Sequence, residues 1–129
     1  MAALYTPTIL DHCANPRNFG TLDPYSVSHE DENSLCGDRI RVDLRISGDA
    51  IDAIRFSGTG CAISIAASSI LSEIVDGRHL SDIATLTADD LLAELGITLT
   101  SSRLACALLG LNVIHAAIAS HSRHLVTVA

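Results

Sequence analysis

The segment Ile54-Arg55-Phe56-Ser57-Gly58-Thr59-Gly60-Cys61-Ala62-Ile63-Ser64 changes from the alternating pattern of a β-strand to the pattern of a helix. Gly58 and Gly60 stand at the change, where glycine permits a positive φ and a close approach of the backbone. Cys61 is therefore predicted to lie at a strand-to-helix turn. Because the free N–H groups at a helix start carry partial positive charge, this position favours a thiolate.

Two alternating runs precede this turn. Arg39 to Ser47 alternates polar and apolar residues, and Ile51 to Ser57 follows after the turn residues Gly48-Asp49. A period of two is that of half-buried strands, and the short connection predicts an antiparallel hairpin. Since antiparallel strands return the chain to its starting point, Cys36 and Cys61, on either side of the hairpin, are expected at the same end of the sheet.

Apolar residues at helical spacing predict helices on both sides of the hairpin. They cover Thr8 to Ala14 behind Thr6-Pro7, Ala62 to Asp76 before Gly77, the segment from Thr87 to Gly96, and a last helix with an apolar face from Leu104 to Ile118. Residues 15–35 are predicted to form a loop, with an edge strand near Tyr25 to Ser28 and a solvated acidic run at Glu30-Asp31-Glu32. The residues after Ser120 show no clear pattern.

The composition fits one ordinary domain, spanning residues 1–129, with a core large enough to fold. Hydrophobic residues make up 48% of the 129, but aromatic residues only 3%, so the core must be mainly aliphatic. The net charge is −7, and all eight basic residues are arginines. This balance argues against a nucleic-acid partner, which requires a basic face.

The cysteines and the apolar runs bear on the cellular location. The longest apolar stretch, Leu104 to Ile118, contains Asn112 and His115, so no membrane span is expected. The first residues lack the basic start and apolar core of a secretory signal, which predicts a reducing, cytoplasmic setting. Four dispersed cysteines then favour metal binding or thiol chemistry over disulfides.

Three of these cysteines and one aspartate form the candidate site. Cys36, Cys61 and Cys106 with Asp38 offer three soft ligands and one hard ligand, a set that suits zinc or iron in tetrahedral geometry. Cys106 lies in the first turns of the last helix, where the helix dipole favours the ionised form of the thiol, as it does for Cys61. The spacing matches no zinc finger, so the alternative is that the cysteines are core residues and Asp38 caps a turn. The hairpin and the two helix starts favour a site.

Four motifs resemble a known family over nearly the whole chain. They are Asn15-Pro16-Arg17-Asn18, Cys36-Gly37-Asp38, Gly60-Cys61-Ala62-Ile63-Ser64 and Arg103-Leu104-Ala105-Cys106. Their combination and order resemble the iron–sulfur cluster scaffold family IscU/NifU/SufU. The resemblance implies an α+β fold in which a small antiparallel sheet packs against helices. It also implies a site at one end of the sheet, made by Cys36, Asp38, Cys61 and Cys106, that holds iron, a transient [2Fe–2S] cluster or zinc.

The resemblance further implies a scaffold rather than an enzyme. Such a protein accepts sulfur from a cysteine desulfurase and passes a cluster to apo-proteins, with Cys106 as the sulfur acceptor and Cys61 as the second candidate. The alternative within the family is a SufU-like zinc-dependent sulfurtransferase that accepts persulfide from a cysteine desulfurase. A purely structural zinc domain is a third possibility, which the carboxylate of Asp38 disfavours because closed structural sites generally use cysteine and histidine.

The chain departs from the IscU pattern at two places. Ala105 stands where IscU-type members carry a histidine, and Leu99-Thr100-Ser101-Ser102-Arg103 replaces the Leu-Pro-Pro-Val-Lys segment for a dedicated Hsp70 chaperone, which puts that partner in doubt. The segments after Cys36 and Cys61 are more similar to SufU, although the SufU insertion before the last cysteine is missing. Cys13 is expected to serve in packing, Arg103 to be solvated near the site, and the six histidines to have no chemical role.

Overall fold

The computed structural model describes residues 6–128, with side chains as far as Ser122. The predicted lack of a leader concerns residues 1–5, which lie outside the described range. The elements in chain order are α1 (Pro7–Ala14), β1 (Val27–Asn33), β2 (Asp38–Ser47), β3 (Ala50–Thr59), α2 (Ala62–Val75), α3 (Leu80–Ala84), α4 (Ala88–Leu95) and α5 (Ser101–Val128). The predicted α+β fold, with a small antiparallel sheet against helices, is confirmed.

The sheet has the order β1-β2-β3, with both neighbouring pairs antiparallel. The predicted hairpin is its β2–β3 half. Val42 lies opposite Phe56 and Leu44 opposite Ile54, and all four are buried. The alternation in both runs thus places one apolar face on the core, as a period of two requires.

Strand β1 is longer than predicted. The sequence indicated an edge strand only near Tyr25 to Ser28, whereas β1 runs over Val27–Asn33 and includes the acidic residues assigned to a solvated loop. Those residues are exposed, as expected, but they pair with β2 through the backbone. Arg39 bridges to Glu30 at 3.1 Å and to Glu32 at 3.3 Å. Charged side chains are typical of an edge strand that must not recruit another strand.

Helices α2 and α5 cover the buried face of the sheet. Helix α2 packs on β3, and α5 packs on β1, β2 and α2, while α1 and α4 lie against α2. Ile63 and Leu71 of α2 and Ala107 and Ile114 of α5 are almost completely buried in this layer. The sheet and the two helices therefore share one core.

Helix α5 differs from the prediction in two ways. It continues to Val128, well past Ser120. Its segment Ser101–Ser122 is also long and apolar enough to cross a membrane by length and composition, although the sequence was taken to contain no such run. Within the most apolar window, 44% of the residues are buried in the protein. Helix α5 packs on β1, β2 and α2, so its apolar residues are those expected of a core helix.

Two short helices connect α2 to α5. Helix α4 matches its prediction, since Thr87 and Asp90 form a capping box and Gly96 ends it in the left-handed conformation, with φ 72°. Helix α3, Leu80–Ala84, was not predicted. Five residues contain too little periodicity to identify a helix from sequence.

Candidate metal centre

One end of the sheet brings three predicted site residues together. Cys36 lies on the turn between β1 and β2, Asp38 begins β2, and Cys106 lies in the second turn of α5. One ligand atom from each of the three lies within 4.8 Å of the others. The Sγ atoms of Cys36 and Cys106 are 3.0 Å apart. Of the residues in the described range, these form the group that could hold a metal ion.

Asn33 shapes the turn that holds Cys36. Its side-chain oxygen accepts a hydrogen bond from the Leu35 N–H at 3.1 Å, and its backbone oxygen accepts one from the Gly37 N–H at 2.8 Å. Its Nδ2 donates to Cys36 Sγ at 3.1 Å. Sequence reasoning missed this residue. The signal was an asparagine at the start of a turn, since asparagine side chains hydrogen-bond the backbone two residues on, as Asn33 does at Leu35.

Cys61 borders the same site but stands outside the tightest group. It is the N-cap residue of α2, as predicted from the glycine-rich turn. Its N–H donates to Asp38 Oδ1 at 3.0 Å, and its Sγ lies 3.8 Å from Asp38 Oδ2. A surface pocket of about 230 Å³ is lined by Cys36, Cys61, Ser102, Arg103 and Cys106. The topology thus places all three thiols around one pocket, with Asp38 bound to the Cys61 backbone.

Gly58 allows β3 to approach β2 just before this turn. Its φ is 136°, and a Cβ built on it would lie 2.0 Å from the backbone oxygen of Arg39. Any side chain here would push the strands apart at the end that supports Asp38. The interpretation of Gly58 as a residue that permits positive φ and close approach is therefore confirmed.

The candidate ligands differ in their exposure to solvent. Asp38 and Cys106 are 2% and 3% exposed, whereas Cys36 is exposed. Burial, followed by hydrogen bonding with Cys36, raises the pKa of the Cys106 thiol far above its usual value. In the metal-free protein, burial therefore opposes the ionised form that the helix dipole was expected to favour at Cys106. Cys106 follows the first turn of α5, where the dipole effect has faded, and burial dominates.

The donor set fits a tetrahedral metal. Metal–sulfur bonds of about 2.3 Å place tetrahedral ligand atoms about 3.8 Å apart. The three grouped atoms lie within 4.8 Å of one another, and the Cys36 and Cys106 Sγ atoms, 3.0 Å apart, would move slightly apart to bind a metal. Thiolate sulfur suits zinc and iron, and a bound metal would keep such a thiol deprotonated. Ala105, at the position of the IscU histidine, contributes no ligand atom and is exposed.

The remaining candidates lie elsewhere. Cys13 is half-buried on α1 and packs against the core, in line with its expected role. His12 is buried and bonds through Nδ1 to Ser69 Oγ at 2.7 Å, and His115 Nε2 lies 3.1 Å from the Ile83 oxygen. No histidine within the described side chains joins the ligand group.

A family model described as the NifU-like N terminal domain matches residues 4–127. The iron–sulfur cluster assembly scaffold protein IscU of Aquifex aeolicus is 36% identical over 120 residues, which cover 92% of this chain and 76% of that protein. The zinc-dependent sulfurtransferase SufU of Bacillus subtilis is 36% identical over 84 residues, covering 65% of this chain and 56% of SufU. The bifunctional protein NifU/MnmA of Rubrobacter xylanophilus is 36% identical over 118 residues, but the chain spans only 24% of its length.

Two solved structures share the fold. A protein described as an iron–sulfur cluster assembly scaffold for the SUF system of Fervidobacterium islandicum superposes with a TM-score of 0.77 and 21% identity, covering 88% of this chain and 96% of that one. A NifU-like N-terminal protein from Brucella abortus gives a TM-score of 0.76 and 20% identity, covering 92% and 94%. With the family model matched almost end to end, the chain belongs to the NifU-like N-terminal domain family, whose members include scaffold proteins for iron–sulfur cluster assembly.

Proposed function

We propose that this chain is a one-domain iron–sulfur cluster assembly scaffold. It binds iron or a transient [2Fe–2S] cluster as cargo, receives sulfur from a cysteine desulfurase and delivers the cluster to apo-proteins. The observation that carries the proposal is the grouping of Cys36, Asp38 and Cys106 within 4.8 Å, beside a pocket that Cys61 also lines. A scaffold has no turnover of its own, so the chain is not an enzyme in this account.

The ligand set suits a cargo that must leave. A carboxylate is a hard oxygen ligand, so Asp38 forms a weaker bond to zinc or cluster iron than the three thiolates do. Access is available as well, because Cys36 is exposed and the pocket opens to the surface. Leu35, next to Cys36, is 85% exposed and offers an apolar contact for an approaching protein.

The sulfur step requires a thiolate on the scaffold. That thiolate attacks the outer sulfur of the desulfurase persulfide, so a new S–S bond forms on the scaffold while the S–S bond on the desulfurase breaks. The desulfurase cysteine leaves as a thiolate, and the step involves no net oxidation. We assign the acceptor to Cys106, whose thiol is buried and has a raised pKa in the metal-free protein and which a bound metal would keep as the thiolate, with Cys61 as the second candidate.

A sulfurtransferase is the second candidate function, supported by the 36% identity with SufU over 84 residues. The same donor set would hold zinc, and the thiols would accept sulfur without building a cluster. The connection between Cys61 and Cys106 consists of α2, α3, α4 and short loops. It lacks the insertion that the resemblance associates with SufU, and this favours the scaffold.

Anaerobic reconstitution separates the two functions. The purified protein is assayed for zinc, then incubated with iron and sulfide and followed by visible absorption. A scaffold gains the visible absorption of a bound cluster and then transfers the cluster to an added apo-ferredoxin. Stoichiometric zinc that persists, without cluster absorption, would instead support the sulfurtransferase. Intact mass after incubation with desulfurase and cysteine tests the shared step, since both functions require one added sulfur on a site cysteine.

The surroundings of the protein follow from the thiols and the charge. Free thiols at a metal site persist in a reducing compartment, so we propose a cytoplasmic location. With a net charge of −7, the partners are proteins rather than nucleic acids, and no membrane attachment is proposed. A dedicated Hsp70 chaperone is not proposed, because Leu99 to Arg103 lacks the family segment for it.

A further inference from the structure

Two buried hydroxyl groups on α2 lack partners. Among the side chains that the structure describes, Ser64 Oγ and Ser68 Oγ are the buried polar atoms without a hydrogen bond, and the two residues are 1% and 3% exposed. Other serines of α2 are satisfied, since Ser69 Oγ meets His12 and Ser72 Oγ donates to backbone oxygens. An unpartnered buried hydroxyl is costly, so each of the two requires an explanation.

Ser68 lies where α2 packs against α5. A Cβ built on Gly110 of α5 would lie 2.6 Å from Ser68 Oγ, so the two helices touch at this point through a serine and a glycine. Ser64 lies one turn closer to the start of α2, on the same face and towards Cys61. Its hydroxyl therefore lies nearer the metal centre than that of Ser68.

The Ser64 hydroxyl borders Asp38. A Cβ built on Gly60 would lie 3.0 Å from Ser64 Oγ and 3.2 Å from Asp38 Oδ1, so both oxygens face the same small space. Asp38 Oδ1 already accepts the Cys61 N–H at 3.0 Å, while Oδ2 lies on the side of the Cys61 thiol. The hydroxyl thus borders the carboxylate oxygen that accepts the Cys61 N–H.

We infer that Ser64 is a positioning residue of the metal centre and that its hydroxyl donates to Asp38 Oδ1 when Asp38 serves as a ligand. Together with the Cys61 N–H, it would hold the carboxylate through Oδ1 and leave Oδ2, which lies 3.8 Å from Cys61 Sγ, for the metal. Hydrogen bonds of this kind orient ligating side chains and strengthen metal binding. The absence of a side chain at Gly60 leaves the path between the two oxygens open. The inference rests on the proposed metal site.

Zinc affinity tests this role. Wild type, Ser64→Ala and the matched control Ser68→Ala are compared anaerobically by competition with a chelator for Zn²⁺. We expect Ser64→Ala to lose about tenfold or more in affinity and Ser68→Ala to match wild type. The melting temperatures of both metal-free variants should equal or exceed that of wild type, because each loses an unpartnered hydroxyl. The visible spectrum of bound Co²⁺, which reports ligand geometry, should change only in Ser64→Ala.

Gly60→Ala provides a second variant. It keeps both Ser64 and Asp38 but places a methyl group between their oxygens, so it should also weaken Zn²⁺ binding. Equal Zn²⁺ affinity in wild type and Ser64→Ala would overturn the role of Ser64 while leaving the metal site intact. A wild type that binds no Zn²⁺ would overturn the metal site itself.

Discussion

Asp38 is a buried carboxylate beside the thiols of the candidate metal centre. It is 2% exposed, its Oδ1 accepts a hydrogen bond from the Cys61 N–H at 3.0 Å, and it lies among the thiols with which, in the proposed function, it shares a metal. Beside three thiolates, its oxygen should be the first ligand to release zinc or cluster iron. Since Ala105 supplies no ligand atom, we expect release of the metal or cluster to depend on Asp38.

Replacing Asp38 by cysteine should slow the loss of cargo. Asp38→Cys adds a fourth soft ligand at the corner that the carboxylate occupies, and we expect a several-fold slower removal of Zn²⁺ by a chelator, or of cluster by an apo-protein. Asp49→Cys adds a thiol on the exposed β2–β3 turn and controls for the extra cysteine. An unchanged rate in folded, fully loaded Asp38→Cys would show that Asp38 is not a ligand.

At the scale of the elements, the β2–β3 pair aligns the site. Gly58 combines a φ of 136° with a Cβ position only 2.0 Å from the Arg39 oxygen. Gly58→Ala should therefore destabilise the protein by about 3 kcal/mol or more, because backbone strain and a clash with the neighbouring strand add up. Urea unfolding measures the loss. A loss of stability smaller than that of the control variant Gly48→Ala would contradict the close approach of the strands.

Gly48→Ala is the matched control for Gly58→Ala. Gly48 also has a positive φ, 64°, but a Cβ there would meet nothing within 4 Å. Only the backbone strain remains, so we expect a cost of about 1 kcal/mol. The difference between the two variants measures the clash alone.

The attachment of α1 to α2 should depend on pH. Burial, and then the charge of Arg17, lower the pKa of His12 from 6.5, while Glu73 opposes this shift less strongly. The unfolded chain therefore binds a proton that the folded state resists. The contribution of His12 to the free energy of unfolding is fully present above about pH 6.5. It is lost as the pH falls from there through the lowered pKa of the folded state.

His12→Asn should flatten this dependence. We expect the free energy of unfolding of wild type to decrease between pH 7 and pH 5 more steeply than that of the variant, as measured by urea unfolding at each pH. His79→Asn changes a histidine whose side chain is 62% exposed and should keep the wild-type slope. Identical slopes for wild type and His12→Asn would exclude His12 as the source.

Much of the fold could be predicted because its signals are local. The alternation from Arg39 to Ser57 and the glycines before Cys61 fixed the hairpin and the start of α2, and the hairpin in turn placed Cys36 and Cys61 at one end of the sheet. The acidic half of β1 was missed because its pairing with β2 depends on tertiary contacts that overcome weak strand propensity. The contacts of Asn33 and the unpartnered hydroxyl of Ser64 could be identified only from the structure.

The state of Cys106 could not be derived from its helix alone. Its position near the start of α5 suggested a thiolate, but the packing of α5 on the sheet buries the thiol and raises its pKa. Burial is a property of the assembled core and is not visible in helical periodicity. At the scale of the whole molecule, the same packing that hides Cys106 brings it to Cys36, 70 residues earlier in the chain.

We propose that the folded chain forms one metal site from Cys36, Cys61 and Cys106, assisted by Asp38, without Cys13. Metal content per chain after anaerobic loading tests it most directly. We predict one zinc ion, or one [2Fe–2S] cluster, per chain in wild type and in Cys13→Ala, and a loss of binding in Cys36→Ala, Cys61→Ala and Cys106→Ala, each checked for folding. Full metal content in Cys61→Ala, or its loss in Cys13→Ala, would contradict the site.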